Sequence, residues 1–251
     1  MLNIIKIRKN QGFQTIPDIK KAVVKTPFRG LPKINKKNCG KCGRCRDLCP
    51  VDAVSLKPLS IDMGKCLFCG DCERECPEKA LVFTNFHNIS ADTRERLVVD
   101  KDTTPEFYAS RSIEARKEIK KLFNTSFKLR QVSAAGCNGC ELELNACGNV
   151  NFDMGRFGID IVASPRHADG LLITGPISEN MSAALEDAYH STPDPKVVIL
   201  AGSCAISGGV FQGSPALKRD FLEKYHIDLF IPGCPVHPLT VINGLLNFIG
   251  R

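Results

Sequence analysis

Thirteen cysteines stand in a chain of 251 residues, and their spacing is where the chemistry is written. Eight lie between Cys39 and Cys76 as two runs of one pattern, CGKCGRCRDLCP from Cys39 and CLFCGDCERECP from Cys66, each reading C-x2-C-x2-C-x3-C-P. The other five, Cys137, Cys140, Cys147, Cys204 and Cys234, are spread through the second half. Thiols so placed pair as disulfides, act as a redox dithiol or bind metal. The count is odd, and the start, MLNIIKIRKNQGF, lacks the apolar stretch and small-residue cleavage site of an export signal. A reduced compartment and metal ligation are therefore expected. A four-iron cluster needs four thiolates: three closely spaced ones wrap one face and the fourth arrives from elsewhere. Zinc is the weaker alternative, because zinc modules present separated C-x2-C pairs or include histidine, and no His lies in 36–84.

These thiols must be held by secondary structure, and the first group lies in an internal repeat. Every Cys and Pro of CGKCGRCRDLCPVDAV recurs 27 residues later in CLFCGDCERECPEKAL. Each copy reads as a Cys loop, a short helix ended by Pro50 or Pro77, and a strand at 54–56 or 81–83, giving a small pseudo-twofold α+β domain over 36–84. Ahead of it, 1–35 reads as a basic extended arm broken by Pro17, Pro27 and Pro32, with Phe28 and Leu31 free to dock. Residues 85–126 read as a linker with one amphipathic helix. Thr104 is its N-cap, Pro105 its first residue, and Tyr108, Ser112, Ala115, Ile119 and Leu122 its apolar face; Arg116, Lys117, Lys120 and Lys121 lie on the solvated side.

From 127 to 251 strands alternate with helices. Strands are expected at 127–132, 159–163, 170–174, 196–200 and 229–231, and helices at 178–190, 215–226 and 239–248. The fold class is α/β: after the small ferredoxin-like domain comes a flavodoxin-like open parallel sheet with helices on both faces. Functional loops in such sheets lie beyond the carboxyl ends of the strands. Cys137 and Cys140, Cys204 and Cys234 each follow a strand, so three loops are expected to bring four thiols to one edge, with Cys147 left over.

Composition narrows the function classes. With 43% hydrophobic residues the chain can fill the cores of one or two domains, which argues against disorder, collagen and coiled coil. No apolar run approaches the ~20 residues a membrane helix needs. Of 34 Lys and Arg, ten fall in residues 1–37 beside a single acid, Asp18. That arm is either a docking surface for an acidic partner, a nucleic acid or an anionic membrane, or a solvated extension. Cluster thiolates would cancel most of the formal +7, so the basicity is no argument for nucleic acid, and none is expected as a partner.

Residues 38–84 resemble a bacterial 2x(4Fe-4S) ferredoxin. That resemblance implies crossed ligation, with Cys39, Cys42, Cys45 and Cys76 on one cluster and Cys66, Cys69, Cys72 and Cys49 on the other. Over 127–251 the motifs GCNGCELE (136–143), SPRHADGLLITGP (164–176), GSCAISGG (202–209) and PGCPVHP (232–238) together resemble the small subunit of energy-converting, complex I-related nickel-iron hydrogenases and formate hydrogenlyase. They are more distantly similar to the cluster-bearing subunit of respiratory complex I. Complex I subunits have two adjacent cysteines at the first position; C-x2-C here favours the hydrogenase side.

The resemblance implies a proximal 4Fe-4S cluster on Cys137, Cys140, Cys204 and Cys234, hence three 4Fe-4S clusters in all. Gly202, Gly208 and Gly209 would let backbone approach the cluster sulfurs, or serve as ordinary turn glycines. Glu143, Arg166 and His167 would serve in proton relay or at the subunit interface. Their plainer readings are a carboxylate at a helix N-terminus and, with Asp169, a hydrogen-bonded turn. His237 braces its turn, and Cys147 is a small buried residue. No catalytic residue is implied: the chain is the electron-transfer subunit of an oxidoreductase, relaying electrons between the nickel-iron site of a large subunit and a donor or acceptor. The implied partners are that large subunit, membrane-embedded complex I-like subunits, and a formate dehydrogenase, CO dehydrogenase or ferredoxin. The implied location is the cytoplasmic side of the cell membrane, held there by other subunits. The alternative is the corresponding subunit of a complex I-like quinone or methanophenazine oxidoreductase.

Overall fold

The computed structural model describes residues 2–111, 113–114 and 117–251. The chain opens with helix α1 (Leu2–Gln11), exposed over 3–11 and closed by Gly12 at φ +65°. This departs from the extended arm expected of 1–35, because no proline falls before Pro17 and Leu, Lys, Arg and Gln are good helix formers. Beyond Gly12 the arm is a strap on its own chain. Ile16 N–H donates to Asn151 O (2.9 Å), and buried Ile19 accepts at its carbonyl from Asn243 Nδ2 (3.2 Å). Phe28 sets its edge against the His237 ring, centroids 5.0 Å apart, and Leu31 is buried. The strap ends as strand β1 (Pro32–Ile34), paired antiparallel with β4 (Leu81–Phe83).

Within the cysteine repeat, helices α2 (Arg44–Asp47) and α3 (Asp71–Arg74) each start at a glycine in the left-handed region, Gly43 at φ +80° and Gly70 at φ +79°. A side chain would be strained at either position. Strands β2 (Val54–Leu56) and β3 (Leu59–Asp62) form a hairpin that β5 (Val98–Asp100) joins, all antiparallel. The connector holds two helices, α4 (Pro105–Arg111) and α5 (Lys117–Phe123). Thr104 caps α4, its Oγ1 accepting from Phe107 N–H at 3.2 Å. Ser112 and Ala115 of the expected apolar face and Arg116 of its solvated side lie outside the described residues. Tyr108 and Ile119 are buried but Leu122 is exposed and Phe123 takes the inward place, because α5 is a separate element with its own phase.

The second half is a five-stranded sheet, β6 (Phe127–Ser133), β7 (Ile159–Ile161), β8 (Gly170–Thr174), β9 (Val197–Ala201) and β10 (Leu229–Ile231), in the order β7-β6-β8-β9-β10 and all parallel. Counted along the sheet this is 2-1-3-4-5, the flavodoxin-like doubly wound order. Strands β8 and β9 are buried at every residue, as parallel strands covered on both faces must be. Helices α6 (Gly139–Cys147) and α10 (Pro238–Phe248) pack together on one face, and α7 (Glu179–Ser191) covers part of the other. Residues 215–226 yield only the one-turn α9 (Phe221–Lys224). Leu217 bridges to Ser178 instead of coiling, and the Arg219 side chain is drawn inward to backbone carbonyls.

The repeat and the sheet share one core. Leu31, Ile61, Met63 and Leu81 lie in the same buried cluster as Val132, Leu171, Val198 and Leu200. The seam is also hydrogen-bonded: Ala91 and Phe230 exchange backbone bonds of 3.0 and 2.8 Å, and Ser203 Oγ donates to Cys66 O at 2.6 Å. The shared core fixes the spatial relation of the cysteine repeat to the carboxyl edge of the sheet.

Candidate metal centres

Cys39, Cys42, Cys45 and Cys76 line one cavity of about 170 Å³, walled by Leu56 and Leu81. Cys49, Cys66, Cys69 and Cys72 line a second, walled by Ile61 and Phe83. Each quartet takes three cysteines from one run and one from the other. Burial, then repulsion from Cys72, Cys49 and Cys69, pushes the Cys66 thiol up to about 12. Cys72 is likewise raised to about 12 by burial and by Cys69, Cys45 and Cys49, so Cys45 of the first quartet is its neighbour. Cys45 is raised by burial and then by Cys76, Cys39 and Cys42. Backbone N–H groups turn to the sulfurs in matched fashion: Ala53 N to Cys49 Sγ and Ala80 N to Cys76 Sγ, both 3.2 Å, and Phe68 N to Cys66 Sγ, 3.3 Å.

The third quartet stands at the carboxyl edge of the sheet. Cys137 and Cys140 flank the start of α6 after β6, Cys204 begins α8 (Ser203–Ser207) after β9, and Cys234 follows β10. Cys140 is pushed up to about 12 by burial, then by Glu141, Cys204 and Cys234; Cys204 rises to about 11 by burial, then by Cys234 and Cys137. Cys234 is raised by burial, by Cys137 and by Cys69, which brings the second quartet beside the third. Two glycines keep the enclosure open. A Cβ on Gly202 would lie 2.6 Å from Cys140 Sγ and one on Gly209 2.8 Å from Cys204 Sγ, where real Cβ atoms essentially never sit.

Chemically, the donor sets fit a four-iron cluster. Four thiols surround each space, and among the described residues no three His, Cys, Asp or Glu converge on a single metal ion. The raised pKa values of Cys45, Cys66, Cys72, Cys140, Cys204 and Cys234 mean that these thiols give up protons to a strong cationic centre and not to water at neutral pH.

Cys147 stands apart. It is fully buried between α6 and α10, its Sγ bonded to Glu143 O at 3.3 Å, and burial holds its thiol at about 12. Glu143 sits on α6 in a cavity wall with Cys234 and His237, its carboxyl raised by burial. His237 caps α10, its Nδ1 accepting from Leu239 N–H (3.1 Å), and burial lowers its pKa to about 4. Arg166 and His167 are not brought to the cysteine edge. Their turn (Pro165–His167) leads into Asp169, whose carboxylate accepts from Lys128 N–H (2.6 Å) near the start of β6, at the amino end of the sheet.

Two functional-site residues escape sequence reasoning. Glu141 Oε1 accepts from Thr174 Oγ1, while Oε2 is buried with no hydrogen-bond partner among the described residues. Its position next to Cys140 is a signal in hindsight, but two acids share GCNGCELE and helical phase alone does not rank them. Arg219 is the second. Its guanidinium donates to the carbonyls of Pro176 (2.7 Å), Cys204 (3.1 Å), Ala205 (2.7 Å) and Ile206 (3.1 Å), cementing the loop that presents Cys204. No motif flags it, because its partners are backbone atoms.

The profile of the family described as NADH ubiquinone oxidoreductase, 20 Kd subunit, matches residues 137–248, and that of the 4Fe-4S dicluster domain matches 38–80. The chain is 40% identical over 115 residues to the probable membrane-bound hydrogenase subunit mbhJ of Pyrococcus furiosus, covering 46% of this chain and 69% of that protein. It is 38% identical over 148 residues to formate hydrogenlyase subunit 7 of Escherichia coli, covering 59% of this chain and 56% of the relative. It is also 38% identical over 108 residues to a subunit of the NADH-quinone oxidoreductase of Desulfovibrio desulfuricans, covering 43% and 58%. The chain thus spans less than two thirds of the length of the last two relatives.

Proposed function

Because the chain belongs to the family of the 20 kDa subunit of NADH ubiquinone oxidoreductase, whose relatives include hydrogenase subunits, and carries a 4Fe-4S dicluster domain besides, we propose that it is the iron-sulfur electron-transfer subunit of a complex I-related nickel-iron hydrogenase of the formate hydrogenlyase type. In this reading it holds three clusters and docks on a large subunit that carries the nickel-iron site. When bound, 4Fe-4S clusters supply one-electron storage and transfer. Everything else is the work of this chain's residues.

One observation carries the reading: the quartets stand in a row. Cys45 of the first neighbours Cys72 of the second, and Cys69 of the second neighbours Cys234 of the third. Ser203, next to Cys204, is bonded to the carbonyl of Cys66, so the second and third quartets are held by one hydrogen bond and one shared core. Buried Ile61, Leu81 and Met63 around the repeat exclude water, and N–H groups aimed at sulfur stabilise negative charge there. Cys42 of the first quartet and Cys137 of the third are exposed, so the row opens to partners at both ends.

The membrane-embedded subunits, and a formate dehydrogenase, CO dehydrogenase or ferredoxin as donor or acceptor, belong to the same proposal. Among the described residues no helix is long and apolar enough to cross a membrane. The test is anaerobic purification of the native complex. A co-purifying large chain with paired CxxC motifs, nickel, and hydrogen-dependent reduction of the clusters in this chain are expected. A large chain without those motifs, with quinone reducing or oxidising the clusters, would transfer the protein to the quinone oxidoreductase reading.

A further inference from the structure

The strap carries a cation into the gap between the second and third quartets. Arg29 Nη1 donates to Phe68 O (3.4 Å), and its guanidinium lies so close over Gly70 that a Cβ there would come 2.9 Å from Cζ. The side chain therefore touches both residues that flank Cys69. It also lines, with Phe28 and Glu143, a cavity of about 230 Å³ whose wall includes Cys234. In that wall Arg29 is the positive group: His237 accepts a hydrogen bond at Nδ1 and is neutral at pH 7, and Glu143 is an acid.

The repeat supplies an internal control. Gly43 stands in the first copy where Gly70 stands in the second, with φ +80° against +79°, and the Ala53 and Ala80 N–H bonds to sulfur are both 3.2 Å. A Cβ on Gly43 would meet Asp47 Oδ2 at 3.5 Å and Arg46 Nη2 at 3.8 Å, and those two groups neutralise each other across 2.6 Å. The third of the nearest atoms to that Cβ is Leu56 Cδ1 at 3.8 Å, so none of the three comes from the arm. Lys41 and Arg44 line the first cavity where the second copy has Phe68 and Asp71, so Arg29 is a cation that the second quartet receives from outside the repeat.

We propose that Arg29 is a redox-tuning residue: its fixed charge favours the reduced state at the second quartet, the one beside the third. The inference rests on the function proposed above. Reduction there adds one electron and no atom, so the added negative charge is what the guanidinium stabilises. Half-buried and short of water, that charge is weakly screened.

The experiment is an EPR-monitored redox titration of the full chain, reconstituted anaerobically, with the second-quartet signal identified as the one lost in Cys66→Ser. Arg29→Gln should lower the midpoint of that signal by about 59 mV, a tenfold change for one electron, and leave the first-quartet signal in place. Arg29→Lys should retain most of the wild-type value. Unchanged midpoints in Arg29→Gln, or an equal fall in both, would overturn the proposal. So would a fall in Arg29→Lys as large as that in Arg29→Gln, which would assign the effect to hydrogen-bond geometry. A wild-type chain showing no two cluster signals from the repeat would instead sink the function itself.

Discussion

Replacing Arg219 is the sharpest test of how the third quartet is assembled. Its guanidinium is half-buried, which lowers its pKa, and it is the donor to the carbonyls of Pro176, Ala205 and Ile206, while Cys204 O also receives Gly208 N–H at 2.8 Å. Ala205 and Ile206 end a five-residue helix whose last carbonyls have no partner inside it. Arg219→Met keeps the apolar stem and strands three acceptors at about 1–3 kcal/mol each. Removing the half-buried cation returns part of that through its own desolvation, leaving a net loss of roughly 3–5 kcal/mol. That is a large share of the stability of a typical domain. The assay is urea unfolding of the reconstituted chain beside iron analysis. The unfolding midpoint should fall, and iron should drop from about twelve to about eight per chain as the third site alone empties. An Arg219→Met variant with full iron and an unmoved midpoint would refute the argument that these bonds hold the Cys204 loop.

Cys49→Ser should damage the site that also uses Cys66, Cys69 and Cys72, and spectra showing loss at the Cys39, Cys42 and Cys45 site would reject the crossed grouping. Cys147→Ser should leave iron unchanged and cost about 1–2 kcal/mol, since a hydroxyl replaces a buried thiol; a loss of about four irons would make Cys147 a ligand. His237 is lowered from 6.5 to about 4, so the unfolded chain binds the extra proton between those values and stability falls as pH drops through that window. The contribution is present in full above pH ~6.5 and amounts to about 3 kcal/mol at 1.36 kcal/mol per unit. In His237→Asn, which keeps an acceptor for Leu239 N–H, the fall in unfolding free energy between pH 6.5 and 4 should be smaller by that amount; an identical pH profile would contradict the assignment.

The strands of the sheet were legible because a parallel strand buried on both faces is a continuous apolar run: GLLIT is strand β8 residue for residue, and KVVIL is displaced by one residue. The repeat was legible because a 27-residue period leaves every Cys and Pro in register. What escaped depends on partners distant in sequence. The helical period of 215–226 was outweighed by four carbonyl bonds from Arg219 that no local pattern encodes. The basic arm read as either a docking surface or a solvated extension because charge dominated its composition, and composition does not show that Ile19, Leu31 and the Phe28 ring bind it to its own chain, in part to residues more than two hundred positions away. Glu143 was singled out ahead of Glu141, whose buried Oε2 shows only once α6 is packed beside Thr174.

The most direct measurement is iron and acid-labile sulfide per polypeptide in the chain purified or reconstituted without oxygen. Three occupied quartets predict about twelve of each, with broad visible absorption bleached by a low-potential reductant. A colourless protein carrying zinc, or iron and sulfide far below that stoichiometry after reconstitution, would contradict the account.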